Sequence, residues 1–192
     1  METLETINKR ASLKAHLSSR EIEPEKIVKI LDAARLAPSA RNRQPWRFIV
    51  VQGREAVEAL VSSVFSETNQ IVKRAPVIII ACANPGDDVV IDGREYYLFD
   101  VGLAVGNMLL AATDLGLVTH PMAALNEDRL KDVLEIPYEV RFVIATPLAY
   151  PAEKSYAEAA KERLGQRTRK VLNECVYSNT WGHPFGVYQC VR

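Results

Sequence analysis

Pro38-Ser39-Ala40-Arg41-Asn42-Arg43-Gln44-Pro45-Trp46, running into Phe48-Ile49-Val50-Val51, is the stretch from which the fold builds outward. Behind it, Ile27, Ile30, Leu31 and Ala34 recur at helical spacing, with Pro24 at the start and Pro38 just past the end. This predicts a helix over 25–37, because proline suits a first helical turn and the residue before a proline leaves the helical region. Ahead of it, the apolar run 48–51 reads as a short buried strand. Helix and strand are thus joined by a polar loop. Pro38 and Pro45 stiffen that loop, and Ser39, Asn42 and Gln44 offer donors and acceptors. Loops hung on rigid elements are where binding residues gather. A plain connection anchored by Trp46 fits the same residues.

Further along, 55–65 is amphipathic and predicts a helix. Pro76 opens a second apolar strand, Val77-Ile78-Ile79-Ile80-Ala81-Cys82, which Asn84-Pro85-Gly86 ends. Continuous apolar runs suggest strands covered on both faces. Residues 97–116 are apolar around the whole helical wheel, which marks a central core or interface helix, with Gly116 as its stop. Asn126 caps a helix through Leu134. Residues 141–148 form another apolar strand, and 155–176 are polar and helix-prone. The tail 177–192 is irregular and holds Tyr177, Trp181, Phe185 and Tyr188. Strands alternating with helices, with few hairpin signals and no linker, predict one domain over 1–192. Its class is α/β or α+β, in three layers about a covered sheet.

Composition narrows the function. The chain has 192 residues, with 24 Lys and Arg against 24 Asp and Glu. A neutral chain of this size buries a core unaided and has no bulk electrostatic drive towards nucleic acid. Its apolar runs are too short to span a membrane. Three widely spaced cysteines, Cys82, Cys175 and Cys190, make no disulfide framework and suit a reducing cytoplasm. There is no dinucleotide G-x-G-x-x-G, no P-loop and no hydrolase serine elbow. Cys175, His183 and Cys190 lack zinc spacing, so no metal is expected. His16, His120 and His183 are scattered and read as surface or packing residues.

The charge is unevenly spread. Residues 1–54 carry a net +5, residues 55–160 carry −9, and residues 161–192 carry +4. Two basic ends around an acidic middle can converge on one anion. Within the first end, Arg10-Ala11-Ser12-Leu13-Lys14 would place two cations and a hydroxyl on one side of an extended chain. That is a phosphate cradle or an ordinary basic turn.

These two segments together closely resemble the FMN-dependent nitroreductase family. Its members carry an N-terminal Arg-x-Ser-x-Arg/Lys and, further on, a Pro-Ser-x-x-Asn-x-Gln-Pro-Trp loop entering a strand. Ala75-Pro76, Asp100 to Gly116, Ile136-Pro137, Tyr150-Pro151 and Arg167-Thr168-Arg169 also match, so the resemblance covers about residues 7–177. It implies an α+β fold with a central mixed β-sheet flanked by helices, in an intertwined homodimer with FMN at the interface. By position, Arg10, Ala11, Ser12, Lys14, Arg167 and Arg169 would surround the phosphate and pyrimidine edge. Pro38, Ser39, Ala40 and Asn42 would approach the ring from the other subunit. Pro121, Met122 and Ala123, with Ala124, would lie along the ring, and Gln70 or its neighbour Asn69 would assist.

The activity this implies is NAD(P)H-dependent reduction of nitroaromatics, quinones or similar flat acceptors by a ping-pong cycle. The FMN would carry the electron chemistry, so no catalytic side chain is assigned. Specialised branches of the family suggest dehalogenation, enone reduction or flavin fragmentation instead, and a flavin-binding protein without turnover is a further alternative. The chain departs from the pattern at 121–124, where the family's glycine is missing. It departs again at Ala149, where the family has glycine, and at the short polar stretch 84–95.

Overall fold

The computed structural model describes residues 2–152 and 155–185. Four strands form the main sheet, in the order β1 (Trp46–Gln52), β2 (Val77–Ala83), β6 (Arg141–Ala149) and β5 (Val118–Thr119). All three strand pairs are antiparallel. Ser12 adds a parallel bridge to Thr119, which makes the sheet mixed and brings the N-terminal segment to its edge.

The middle strand explains the layering. Every residue of β2 is buried. Its side chains alternate between the two faces, as strand geometry requires. Val77, Ile79, Ala81 and Ala83 pack with α2 (Pro24–Arg35) and α4 (Tyr97–Asp114). Ile78, Ile80 and Cys82 pack with α3 (Arg54–Val64) and α5 (Glu127–Leu134). Two apolar layers therefore flank one sheet, as expected for continuous apolar strands. On one of those layers α2 packs against α4.

Local signals hold at several ends. Asn126 accepts from the Arg129 amide at 2.9 Å and caps α5. Gly116 takes φ +78° just past α4, where a left-handed residue ends a helix. Just past β6 the Tyr150 hydroxyl donates to Glu23, the residue before α2. Lys26 donates to the same hydroxyl at 2.6 Å, and the Arg20 guanidinium lies 4.2 Å from the ring centre.

One expectation needs correction, and one small element carried no signal. The polar C-terminal helix does not reach 176. It is α6 (Ser155–Gly165), followed by extended chain and a short 3₁₀ turn, Leu172–Glu174. The chain leaves the helix where Arg167 is drawn onto main-chain carbonyls of the N-terminal segment. Residues 84–95 hold a small hairpin, β3 (Val90–Ile91) with β4 (Arg94–Glu95). Its Asp92-Gly93 turn has φ +52° and +76°, the geometry such dipeptides favour, but flanks of two residues gave no strand signal. Of the aromatic tail, the rings of Tyr177 and Trp181 pack with centres 4.8 Å apart, tilted by 50°. Tyr188 lies outside the described residues, as does Cys190.

Candidate functional site

The N-terminal helix α1 (Thr3–Lys9) ends at Arg10, and the chain turns towards the sheet edge. There it meets the segment after α6. Arg10, Ala11, Ser12, Arg163, Gln166, Arg167, Thr168 and Arg169 line a cavity of about 220 Å³. Residues more than 150 positions apart thus converge, as the charge distribution suggested. Arg167 fastens them by donating to the carbonyls of Asn8 at 3.1 Å and Arg10 at 2.5 Å. Arg10 donates to Ser12 Oγ at 3.2 Å. No carboxylate lines the cavity. Burial, and then repulsion from Arg167 and Arg169, pulls Arg10 below its ordinary value. Such a site favours an anion, which restores the balance of charge and accepts charge-assisted hydrogen bonds.

Lys14 points elsewhere. Its ammonium donates to the Thr68 carbonyl at 2.6 Å and to Asn69 Oδ1 at 2.7 Å. Asn69 is buried and also donates to the Ala124 carbonyl at 3.3 Å. One amide therefore ties Lys14 to the 121–124 loop. Gln70 is not part of this link. Its amide donates to the Val61 and Phe65 carbonyls at 2.9 Å each and secures the end of α3. The two neighbours point differently because 67–74 is 3₁₀ helix, with about three residues per turn.

The loop 121–124 needs no glycine, since none of its residues has positive φ. The main chain of Met122 pairs with Ala145 at 2.8 and 3.0 Å, and its side chain is buried in the core. Pro121 is half-buried, and Ala123 and Ala124 are exposed. His120, just before this loop, keeps its Nδ1 buried without a hydrogen-bond partner among the described residues. Burial, then Lys14, and more weakly Arg163, hold its pKa below the ordinary value.

The loop 38–44 stands apart. No hydrogen bond joins it to the lining of the Arg10 cavity among the described residues. The Ala40 amide donates to Asp100 on α4 at 2.7 Å, and the Gln44 amide donates to Ser39 Oγ at 2.9 Å. Asp100 is buried, which raises its pKa, and Asp88 faces it. Arg41, Asn42 and Gln44 take φ of 51°, 56° and 51°. Left-handed residues that are not glycine cost about 1–2 kcal/mol each, so the surrounding structure imposes this shape.

A larger groove of about 1070 Å³ lies between the chain around Ile22 and the start of α3, and none of the expected site residues line it. No cluster of metal-ligating side chains occurs among the described residues. No helix among them is long and apolar enough to cross a membrane.

The nitroreductase family model matches residues 7–71 and 66–150. The chain belongs to the nitroreductase family. A nitroreductase family protein from Clostridium novyi NT has a similar solved structure, with 34% identity and a TM-score of 0.75, covering 96% of this chain and 97% of that one. A Methanothermobacter thermautotrophicus relative is 37% identical, over 80% of this chain and 79% of its own length. Its name gives NADH dehydrogenase/NAD(P)H nitroreductase as a provisional activity. A Bacillus subtilis protein named FMN reductase [NAD(P)H] is 28% identical, over 86% of this chain and 71% of its own. The nitroreductase fold expected from the sequence is the fold observed.

The sequence signalled Arg10, Ser12, Arg167 and Arg169, and the structure brings them together. Arg163 and Gln166 carried no sequence signal, and of the two neighbours the resemblance left open, Asn69 is the one that makes the link.

Proposed function

We propose that this nitroreductase passes reducing equivalents from NAD(P)H to a flat acceptor, a nitroaromatic or a quinone, as an FMN-bound homodimer. Family membership makes it an oxidoreductase that works with FMN and NAD(P)H. The observation that carries the reading is the carboxylate-free arginine cavity, whose donor set suits a phosphate. Arg10, Ser12, Arg167 and Arg169 hold the FMN phosphate there, with Ala11 in the wall. FMN, when bound, supplies the hydride and electron chemistry. Lys14, steered by Asn69, presents a cation to the pyrimidine edge and favours the negative charge of the reduced state. The amides of Ala123 and Ala124 are free to donate to the ring, beside Pro121. Met122 contributes main chain only, and of the neighbours Asn69 and Gln70 it is Asn69 that assists.

Pro38, Ser39, Ala40 and Asn42 belong to the site of the second protomer. Two observations support this. Their loop shares no hydrogen bond with the cavity lining of its own chain. Helix α4 also leaves Leu98 and Phe99 exposed, with open space beside Gly102 and Gly106, as an interface helix would. Donor and acceptor use one face in turn, so no second nucleotide domain is required. Among the described residues the thiols of Cys82 and Cys175 are free, which fits a cytoplasmic setting.

A second reading is reductive dehalogenation. It draws on an iodotyrosine deiodinase from Haliscomenobacter hydrossis, 31% identical over 71% of this chain. The first experiment is an absorption spectrum of the purified protein, with identification of the ligand that acid releases. Anaerobic titration with NADH and NADPH follows, and then turnover with a nitroaromatic, a quinone and a halophenol. Released FMN that NAD(P)H bleaches supports the main reading. A colourless protein that does not take up FMN removes it. A flavin that NAD(P)H leaves oxidised favours a carrier without turnover.

A further inference from the structure

The cavity holds more positive charge than Arg10, Arg167 and Arg169 supply. Helix α6 contributes a fourth guanidinium, Arg163, which lines the cavity beside them. The four are unequally committed. Arg167 spends both terminal nitrogens on the Asn8 and Arg10 carbonyls. Arg169 Nη1 donates to the Thr168 carbonyl at 2.6 Å, and Arg10 Nη1 donates to Ser12 Oγ at 3.2 Å. Arg163 makes no side-chain hydrogen bond or ion pair among the described residues. It is also exposed, so neither packing nor a protein partner explains its place at the wall. A ligand explains it. A guanidinium presents a planar fork that matches a phosphate with two parallel hydrogen bonds. Of the four, Arg163 has its whole fork to give.

We propose that Arg163 is a binding and specificity residue: it grips the terminal phosphate of the flavin and makes the cavity discriminate FMN from the unphosphorylated riboflavin. This rests on the FMN reading above. The other three arginines then have a second role. They close the cavity and join α1 to the segment after α6, while Arg163 acts on the ligand alone. Removing Arg163 should therefore weaken the phosphate contact without loosening the fold. Alanine suits an exposed helix position, so the variant should fold.

The test measures binding to flavin-free full-length protein through quenching of flavin fluorescence. FMN and riboflavin are compared in the wild type, Arg163→Ala and Arg163→Lys at several salt concentrations. For Arg163→Ala the FMN Kd should rise about tenfold, the size of one charge-assisted hydrogen bond. Riboflavin affinity should stay within about twofold, and the salt dependence of FMN binding should flatten. Arg163→Lys should recover part of the loss, because it restores charge without the fork. Unchanged FMN affinity in Arg163→Ala overturns the proposal. So does an equal loss for FMN and riboflavin, which marks a general disturbance. A wild type that binds riboflavin as tightly as FMN fails differently, since it removes the phosphate assignment and the FMN reading with it.

Discussion

The Arg10 cavity and the 38–44 loop are both built around unusual local physics, of opposite kinds. The cavity concentrates charge. Like charges are drawn together from the two ends of the chain, and Arg167 bolts them in place through main-chain carbonyls. The loop concentrates backbone strain. Three left-handed residues sit within four positions, held by one buried carboxylate, Asp100, and one hydroxyl, Ser39. In the first region like charges stand together with no carboxylate among them, so its energetics should respond to anions and salt. In the second the partners are already present, so its energetics should respond to mutation of the anchor. Charge and imposed shape are thus divided between separate parts of the chain.

The sharpest break is made at the cavity. Arg10→Ala combined with Arg169→Ala removes two charge-assisted contacts, together about 3 kcal/mol. FMN Kd should rise more than tenfold, and about a hundredfold if both contacts act fully. Riboflavin binding measures the part that does not depend on phosphate. An unchanged FMN Kd would remove these residues from the site. The loop is broken at its anchor. Asp100→Ala leaves the Ala40 amide without its acceptor and should destabilise by about 2 kcal/mol in denaturant unfolding. Asp100→Asn separates shape from charge. It keeps an acceptor for Ala40 and brings a donor towards Asp88 Oδ2, which is buried without a partner. It should therefore unfold close to wild type at neutral pH.

The sign of the pH effect follows from burial. The folded state raises the Asp100 pKa above its unfolded value, so the folded chain keeps that proton longer. The contribution of this group is full below the unfolded value and falls as pH rises through the folded one. Asp100→Asn should abolish that decline. An Asp100→Asn variant that follows the wild-type pH profile would move the effect to another group.

What the sequence disclosed and what it hid follow the same division. The helix before Pro38, the strand 48–51 and the fully buried β2 were legible, because apolar periodicity and proline act locally. Arg10, Arg167 and Arg169, which meet at the cavity, were legible through motif spacing and through charge at the two ends. Arg163 was not. Counting it requires knowing that α6 runs as far as Gly165 and that Arg167 then turns back onto α1. The choice between Asn69 and Gln70 was also hidden, since 67–74 is a 3₁₀ segment and one step of register swings a side chain by about a third of a turn. The 38–44 loop was recognised by its residues, but its strain was invisible. Arg41 carries no mark of a left-handed backbone, and only tertiary context imposes one.

That strain gives the smallest effect and the most direct test of the contrast. Arg41 sits at φ +51° and makes no side-chain hydrogen bond or ion pair among the described residues. Replacing it with glycine removes a left-handed cost of about 1–2 kcal/mol. Glycine also frees the unfolded chain, which takes back about 0.5–1 kcal/mol. Arg41→Gly should therefore be more stable than wild type by about 0.5–1 kcal/mol, read as a small rise in Tm of the flavin-free protein. Elsewhere on a surface loop, the same substitution would lower stability. If Arg41→Gly melts below wild type, the loop is not storing strain at this position. Its shape is then the relaxed one, and the contrast between a charged cavity and a strained loop reduces to the cavity alone.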